Sequence, residues 1–151
     1  RDDAQPMMGD SFVTETVGLG AFSLSASPAI GSFLGIDAQT GRRTVADLRE
    51  ICAGTSSRFL IPAEGFVGAP LGIDVHRVAG TGCAPVVNNG VAHRRAGLGQ
   101  VGAGLTRLPV APFVEASATL AQSAGGADIP GPKPRIPGPR GQDEQEEVQH
   151  A

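Results

Sequence analysis

The chain has 151 residues, room for one domain with a true core but not for two comfortable ones. Its formal net charge of −3 excludes a nucleic-acid partner held by bulk electrostatics. Aromatic residues are only 4% of the chain, all of them Phe, while Gly accounts for 22 positions, about twice the usual share.

A core without Trp or Tyr closes through Val, Leu, Ile, Ala and close backbone contacts. That predicts an α+β domain with a small mixed sheet, short helices and glycine-rich loops. Cys52 and Cys83 can form at most one bridge and carry no metal-ligand spacing, so both are read as reduced thiols of a cytoplasmic protein. The weakly polar run over residues 18–36 is broken by serines and Pro28, so no membrane span is expected. With no basic-then-apolar leader visible, the expectation is a soluble protein. A first residue of Arg1 rather than Met suggests processing or a piece of a longer chain.

In chain order, Asp10 is placed to cap a short helix over Ser11–Thr16, ended by Gly18 and Gly20. Residues 21–34 predict a buried helix using Phe22, Leu24, Ala29, Ile30, Phe33 and Leu34, kinked or split at Pro28. Thr44–Ala53 predicts the clearest helix, with Thr44 as cap, Asp47 as the capping-box acid and Val45, Leu48, Ile51 and Cys52 on one face. Asp37–Arg43 reads as the loop before it, with a turn at Thr40-Gly41, and Gly54 as the stop after it. Phe59–Pro62 and Leu71–Val75 read as strands, with a helical turn at His76–Ala79. Ala84–Val87 and Gln100–Leu108 are two further strands, and residues 109–121 a closing helix.

From Gln122 the composition changes. The near-repeat Ile129-Pro-Gly-Pro-Lys-Pro-Arg and Ile136-Pro-Gly-Pro-Arg-Gly, followed by a glutamate-rich end, predicts an extended tail over residues 122–151 after a domain over 1–121.

The segment Pro85–Gly104 concentrates the chemistry. An apolar run stops at Asn88 and Asn89, His93, Arg94 and Arg95 follow, and Gly97, Gly99, Gly102 and Gly104 fall within eight residues. Helix is disfavoured there, because each glycine costs close to 1 kcal/mol against alanine. A strand running into a polar glycine-lined loop fits better. Asn88, Asn89, Gln100 and the backbone N–H groups around Gly97, Gly99 and Gly102 can cradle a small anion. Arg94 can add a forked donor and His93 can move a proton. The structural alternative has the amides satisfying a turn, the arginines in water and His93 as a donor. Gly97-Leu-Gly-Gln-Val-Gly matches the dinucleotide fingerprint in letters, but the strand expected after it is the wrong context. Thr14 and Glu15, with Asp10 and Thr16, form a second polar cluster that either lines a pocket or caps a solvated helix. His76, His93 and His150 show no ligand spacing, so neither a metal nor another cofactor is expected. Cys83 reads as a buried thiol rather than a nucleophile.

Gly9-Asp-Ser-Phe-Val-Thr-Glu-Thr-Val-Gly-Leu-Gly-Ala-Phe, Leu71-Gly-Ile-Asp-Val, Pro85-Val-Val-Asn-Asn-Gly-Val-Ala-His-Arg and Gly97-Leu-Gly-Gln-Val-Gly-Ala-Gly together resemble the YahG/YlbE-like family. The likeness runs from about Gly9 to Leu120 and corresponds to the C-terminal portion of longer family members. Where the family usually has Asn-Thr-Gly, this chain has Asn88-Asn89-Gly90. One branch is assigned as a subunit of oxamate carbamoyltransferase in allantoin breakdown, acting beside an FdrA-like protein. The resemblance implies carbamoyl transfer between oxalurate and phosphate, a small substrate with carbamoyl, carboxylate or phosphate groups, and an oligomer. It equally admits a non-catalytic assembly subunit, or a hydrolase of a related ureido or amide compound.

Overall fold

The structure is a computed structural model and describes residues 2–6 and 11–124. It is α+β: α1 (Ser11–Glu15), a 3₁₀ segment (Gly20–Ala26), α2 (Pro28–Phe33), α3 (Ala38–Ile51), β1 (Cys52–Ile61), β2 (Val67–Ile73), α4 (Val75–Thr81), β3 (Val86–Ala92), β4 (Gln100–Arg107) and α5 (Ala111–Ala124). Among the described residues no helix is long and apolar enough to cross a membrane. Asp10, the expected cap of α1, and residues 125–151 of the expected tail lie outside the described residues; α5 itself runs on to Ala124.

The strands form two separate antiparallel pairs, β1 with β2 and β3 with β4, where the sequence suggested one mixed sheet. In each pair the two strands are consecutive in the chain, which makes an antiparallel hairpin the shortest connection. The 3₁₀ segment joins the layers. Phe22 is fully buried with Leu48, Ile51, Cys52, Val78 and Val86, while Leu24 packs with Val45, Ile61 and Ala69. α3 supplies both groups from one face, as its Val45-Leu48-Ile51 spacing predicts.

Three expectations are corrected. First, α3 begins at Ala38, because Asp37 accepts from the backbone N–H groups of Gln39 and Thr40 at 2.8 and 2.9 Å. Thr44 is buried inside the helix, and Gly41 is a helical position packed on Leu24 rather than part of a turn. Second, the chain passes from Ile51 straight into β1, so Gly54 belongs to a strand, paired with Leu71. The polar Ser56-Ser57-Arg58 hid it. That stretch holds the irregularity in register between Thr55 and Leu60, and a side chain at Gly68 would sit 2.0 Å from the Ser56 carbonyl oxygen. Third, although the 21–34 run splits at Pro28 as expected, α2 turns Gly31 inward and not its large apolar residues. Ile30 and Phe33 are therefore 49% and 73% exposed instead of buried.

These assignments separate under substitution. Phe22→Ala is expected to lower stability by about 3–5 kcal/mol, whereas Phe33→Ala should stay within about 0.5 kcal/mol of the parent. Urea denaturation midpoints of the two variants measure the contrast.

Candidate functional site

The site grows from Glu15, the last residue of α1. The chain turns immediately after it, and at Gly20 (φ +55°) it passes so close that a Cβ there would lie 2.3 Å from the Glu15 carboxyl carbon. Glu15 is 8% exposed. Its Oε2 accepts the backbone N–H of Ala21 at 2.8 Å and that of Asn88 at 2.9 Å, with Oε1 3.1 Å from the same Asn88 nitrogen. One carboxylate thus ties α1 to both the 3₁₀ segment and β3. Burial pushes its pKa up from the ordinary 4.5, and the N–H bonds from Asn88 and Ala21 pull it partly back.

The β3–β4 hairpin supplies the facing side. Asn88 pairs with Leu105 and Gly90 with Ala103, so strand alternation puts these four on one face. Val91 pairs with Gly102 but Ala92 with Gln100, leaving Val101 as a bulge. That extra residue returns Gln100 to the face of Asn88 and Gly90, where its amide lies against Gly90. A Cβ at position 90 would lie 3.2 Å from the Gln100 Oε1, so a side chain there would push the amide aside by a few tenths of an ångström.

Thr14, Glu15, Asn88, Asn89, Gly90, Gln100 and Ala103 line an open hollow of about 540 Å³, whose other wall is Ile30, Phe33 and Leu34. The Asn88 Oδ1 is buried and has no hydrogen-bond partner. Amide and carboxylate groups on one side and apolar side chains on the other are the usual make-up of a small-molecule site.

The remaining sequence candidates are placed differently. Asn89 sits on the opposite strand face, where its Nδ2 donates to Thr106 Oγ1; alternation leaves its backbone at the hollow. His93 is not among the lining residues. Its Nδ1 accepts the backbone N–H of Arg95 at 2.8 Å, and its Nε2 is 3.8 Å from Asp3 Oδ1. It anchors the N-terminal segment, which adds an Ala4–His93 bridge and a bond from the Arg94 N–H to the Asp3 carbonyl. The Arg94 side chain is exposed. Gly97 and Gly99 (φ +85° and +73°) let the hairpin loop turn, with open space around both. Gly102 borders a shallow neighbouring hollow with Phe33, Gln100, Val101 and Ala103. β4 follows the glycine fingerprint, so the helix needed for dinucleotide binding is not there. Both cysteines are free; burial raises the Cys52 thiol to about 11 and also pushes the Cys83 thiol up, against nucleophilic use. Ile30, Phe33 and Leu34 were not nameable as lining residues, since their spacing reads as core, and Ala103 carries no polar group to mark it.

A small α+β domain with an amide-lined hollow closed by a buried glutamate is the class that this geometry defines. No protein-family model matches the chain. It is 41% identical over 126 residues to the oxamate carbamoyltransferase subunit AllG of Escherichia coli (strain K12), covering 83% of this chain and 30% of that protein. To the uncharacterized protein YahG of the same strain it is 38% identical over 115 residues, covering 76% and 24%. A crystal structure of a conserved protein of unknown function from Enterococcus faecalis V583 superposes with a TM-score of 0.73 at 40% identity, covering 80% of this chain and 29% of that one. The chain belongs to the YahG/AllG-like family, and it spans less than a third of the length of these relatives.

Because the folded Glu15 pKa lies above 4.5, the folded protein holds this proton more tightly than the unfolded chain does. Its contribution to stability is fully present below pH 4.5 and is lost as pH rises through the raised value. The expected outcome is that Glu15→Gln flattens this part of the decline in denaturation midpoint. An unchanged pH–stability slope in the variant contradicts it.

Proposed function

We propose that the chain is part of a carbamoyltransferase-type subunit, with residues 1–121 the C-terminal portion of a YahG/YlbE-like domain and residues 122–151 a tail. The reaction is that of oxalurate with phosphate, giving oxamate and carbamoyl phosphate, in nitrogen recovery from allantoin. An FdrA-like protein is the proposed partner and the cytoplasm the proposed location. The observation that carries this reading is the hollow itself, where Glu15, Asn88 and Gln100 converge from two separate parts of the fold. The name of the AllG relative supplies the reaction class.

In the transfer, a phosphate oxygen attacks the carbamoyl carbon, and the bond from that carbon to the oxamate nitrogen breaks. The departing nitrogen needs a proton, and the carbonyl oxygen needs donors while it carries charge. Glu15, at the hollow, is placed to take the proton of the attacking phosphate and pass it to that nitrogen. This gives Glu15 the part that the sequence suggested for His93, whose ring is engaged with Arg95 and near Asp3. The Gln100 amide is the donor placed for the oxygen. An assembly role draws support from a different feature, the exposed Ile30 and Phe33 at the rim of the hollow.

The test is carbamoyl phosphate formation from oxalurate and phosphate by the chain assembled with its FdrA-like partner. Glu15→Gln is expected to slow it about 100-fold, and Gln100→Ala about tenfold, with the assembly intact. Parental rates in both variants overturn the catalytic reading and leave the assembly role. Ammonia in place of carbamoyl phosphate points to a hydrolase.

A further inference from the structure

We infer that the hollow takes the uncharged carbamoyl end of its substrate and rejects an anion of the same shape, so that phosphate is held by cations outside it. This deepens the functional reading above and rests on it.

Charge comes first. Among the ten described residues lining the hollow, Glu15 is the one charged side chain and none is Arg or Lys. Arg94 and Arg95, the cations the sequence placed nearest, lie exposed in the hairpin loop and do not line it. A phosphate or carboxylate entering here would meet a carboxylate in a partly desolvated space, where like charges repel more strongly than in water.

Hydrogen-bonding capacity points the same way. The Glu15 oxygens already accept from Ala21 and Asn88, but an ionised carboxylate has further lone pairs to offer. The Asn88 Oδ1 is a second acceptor, buried and without a partner. One acceptor without a partner beside another with lone pairs to spare suits a terminal carbamoyl group, which carries two N–H donors. A carboxylate carries none and would leave the Asn88 oxygen unsatisfied, and discrimination built on unpaired polar groups is strong. The Gln100 amide, spread over Gly90, provides the donor for the carbamoyl oxygen. Ile30, Phe33 and Leu34 on the far wall add no charge.

Oxamate and oxalate test this directly, being nearly the same size and differing by an amide in place of a carboxylate. Titration of the full chain, followed through the side-chain amide signals of Asn88 and Gln100 by NMR, gives both dissociation constants. Oxamate is expected to bind at least about tenfold more tightly than oxalate, the discrimination typical of a site built around a substrate N–H. Glu15→Gln, which removes the negative charge, should narrow that ratio to about threefold or less. Gln100→Ala, at an exposed position, should keep the fold while weakening oxamate. Equal binding of the two, or tighter oxalate, overturns the inference and leaves a substrate site standing. Binding of neither overturns it together with the functional reading.

Discussion

The structure turns on a single carboxylate. Glu15 ends a helix of five residues that has no stability of its own. What holds α1 in place is its glutamate, which accepts from the Ala21 and Asn88 backbones and joins parts of the chain 73 positions apart. A buried carboxylate is expensive unless its oxygens are met by donors, and here two backbone N–H groups meet them. The same bonds satisfy Ala21 at the start of the central 3₁₀ segment and Asn88 where β3 leaves the core. The bonds that fix the fold also fix one wall of the hollow.

Two glycines bear on this arrangement. Gly20 is where the chain must pass over the Glu15 carboxyl, and a side chain there would displace it. Gly90 is the floor on which the Gln100 amide lies, after the Val101 bulge has turned it back to this face. Gly97 and Gly99 only let the hairpin loop turn. Glycine density drew attention to the β3–β4 hairpin, but the positions that shape the hollow are not the ones that make the run conspicuous.

The sequence carried much of the fold. Periodicity located the face of α3, the strand β4 and the closing helix, and the prolines marked the breaks at Pro28 and Pro62. Of the strand expected at Leu71–Val75 only the first three residues belong to β2, while Asp74 caps α4 and Val75 opens it. Periodicity failed where tertiary contacts override local preference. The Thr40-Gly41 pair looks like a turn, yet Gly41 lies inside α3 against Leu24, and the Asp37 cap lay about two turns upstream of the expected start. β1 was obscured because its middle is polar and only Cys52, Ser56 and Ile61 are buried. Around the hollow, Thr14, Glu15, Asn88 and Gln100 were nameable from polarity beside glycines. That the Asn89 side chain faces away and that His93 serves the N-terminal segment depend on strand register, which no local pattern reveals. Nor does any local pattern show that Phe33 lines a hollow rather than a core.

Hydrogen exchange at the Ala21 and Asn88 backbone amides is the most direct measurement of the clasp. Both protons are expected to exchange as slowly as those of the buried part of α3, with Glu15→Ala releasing the two together. Rapid exchange at either amide in the parent chain would mean that Glu15 does not hold these segments, and the account of both fold and site would fail with it.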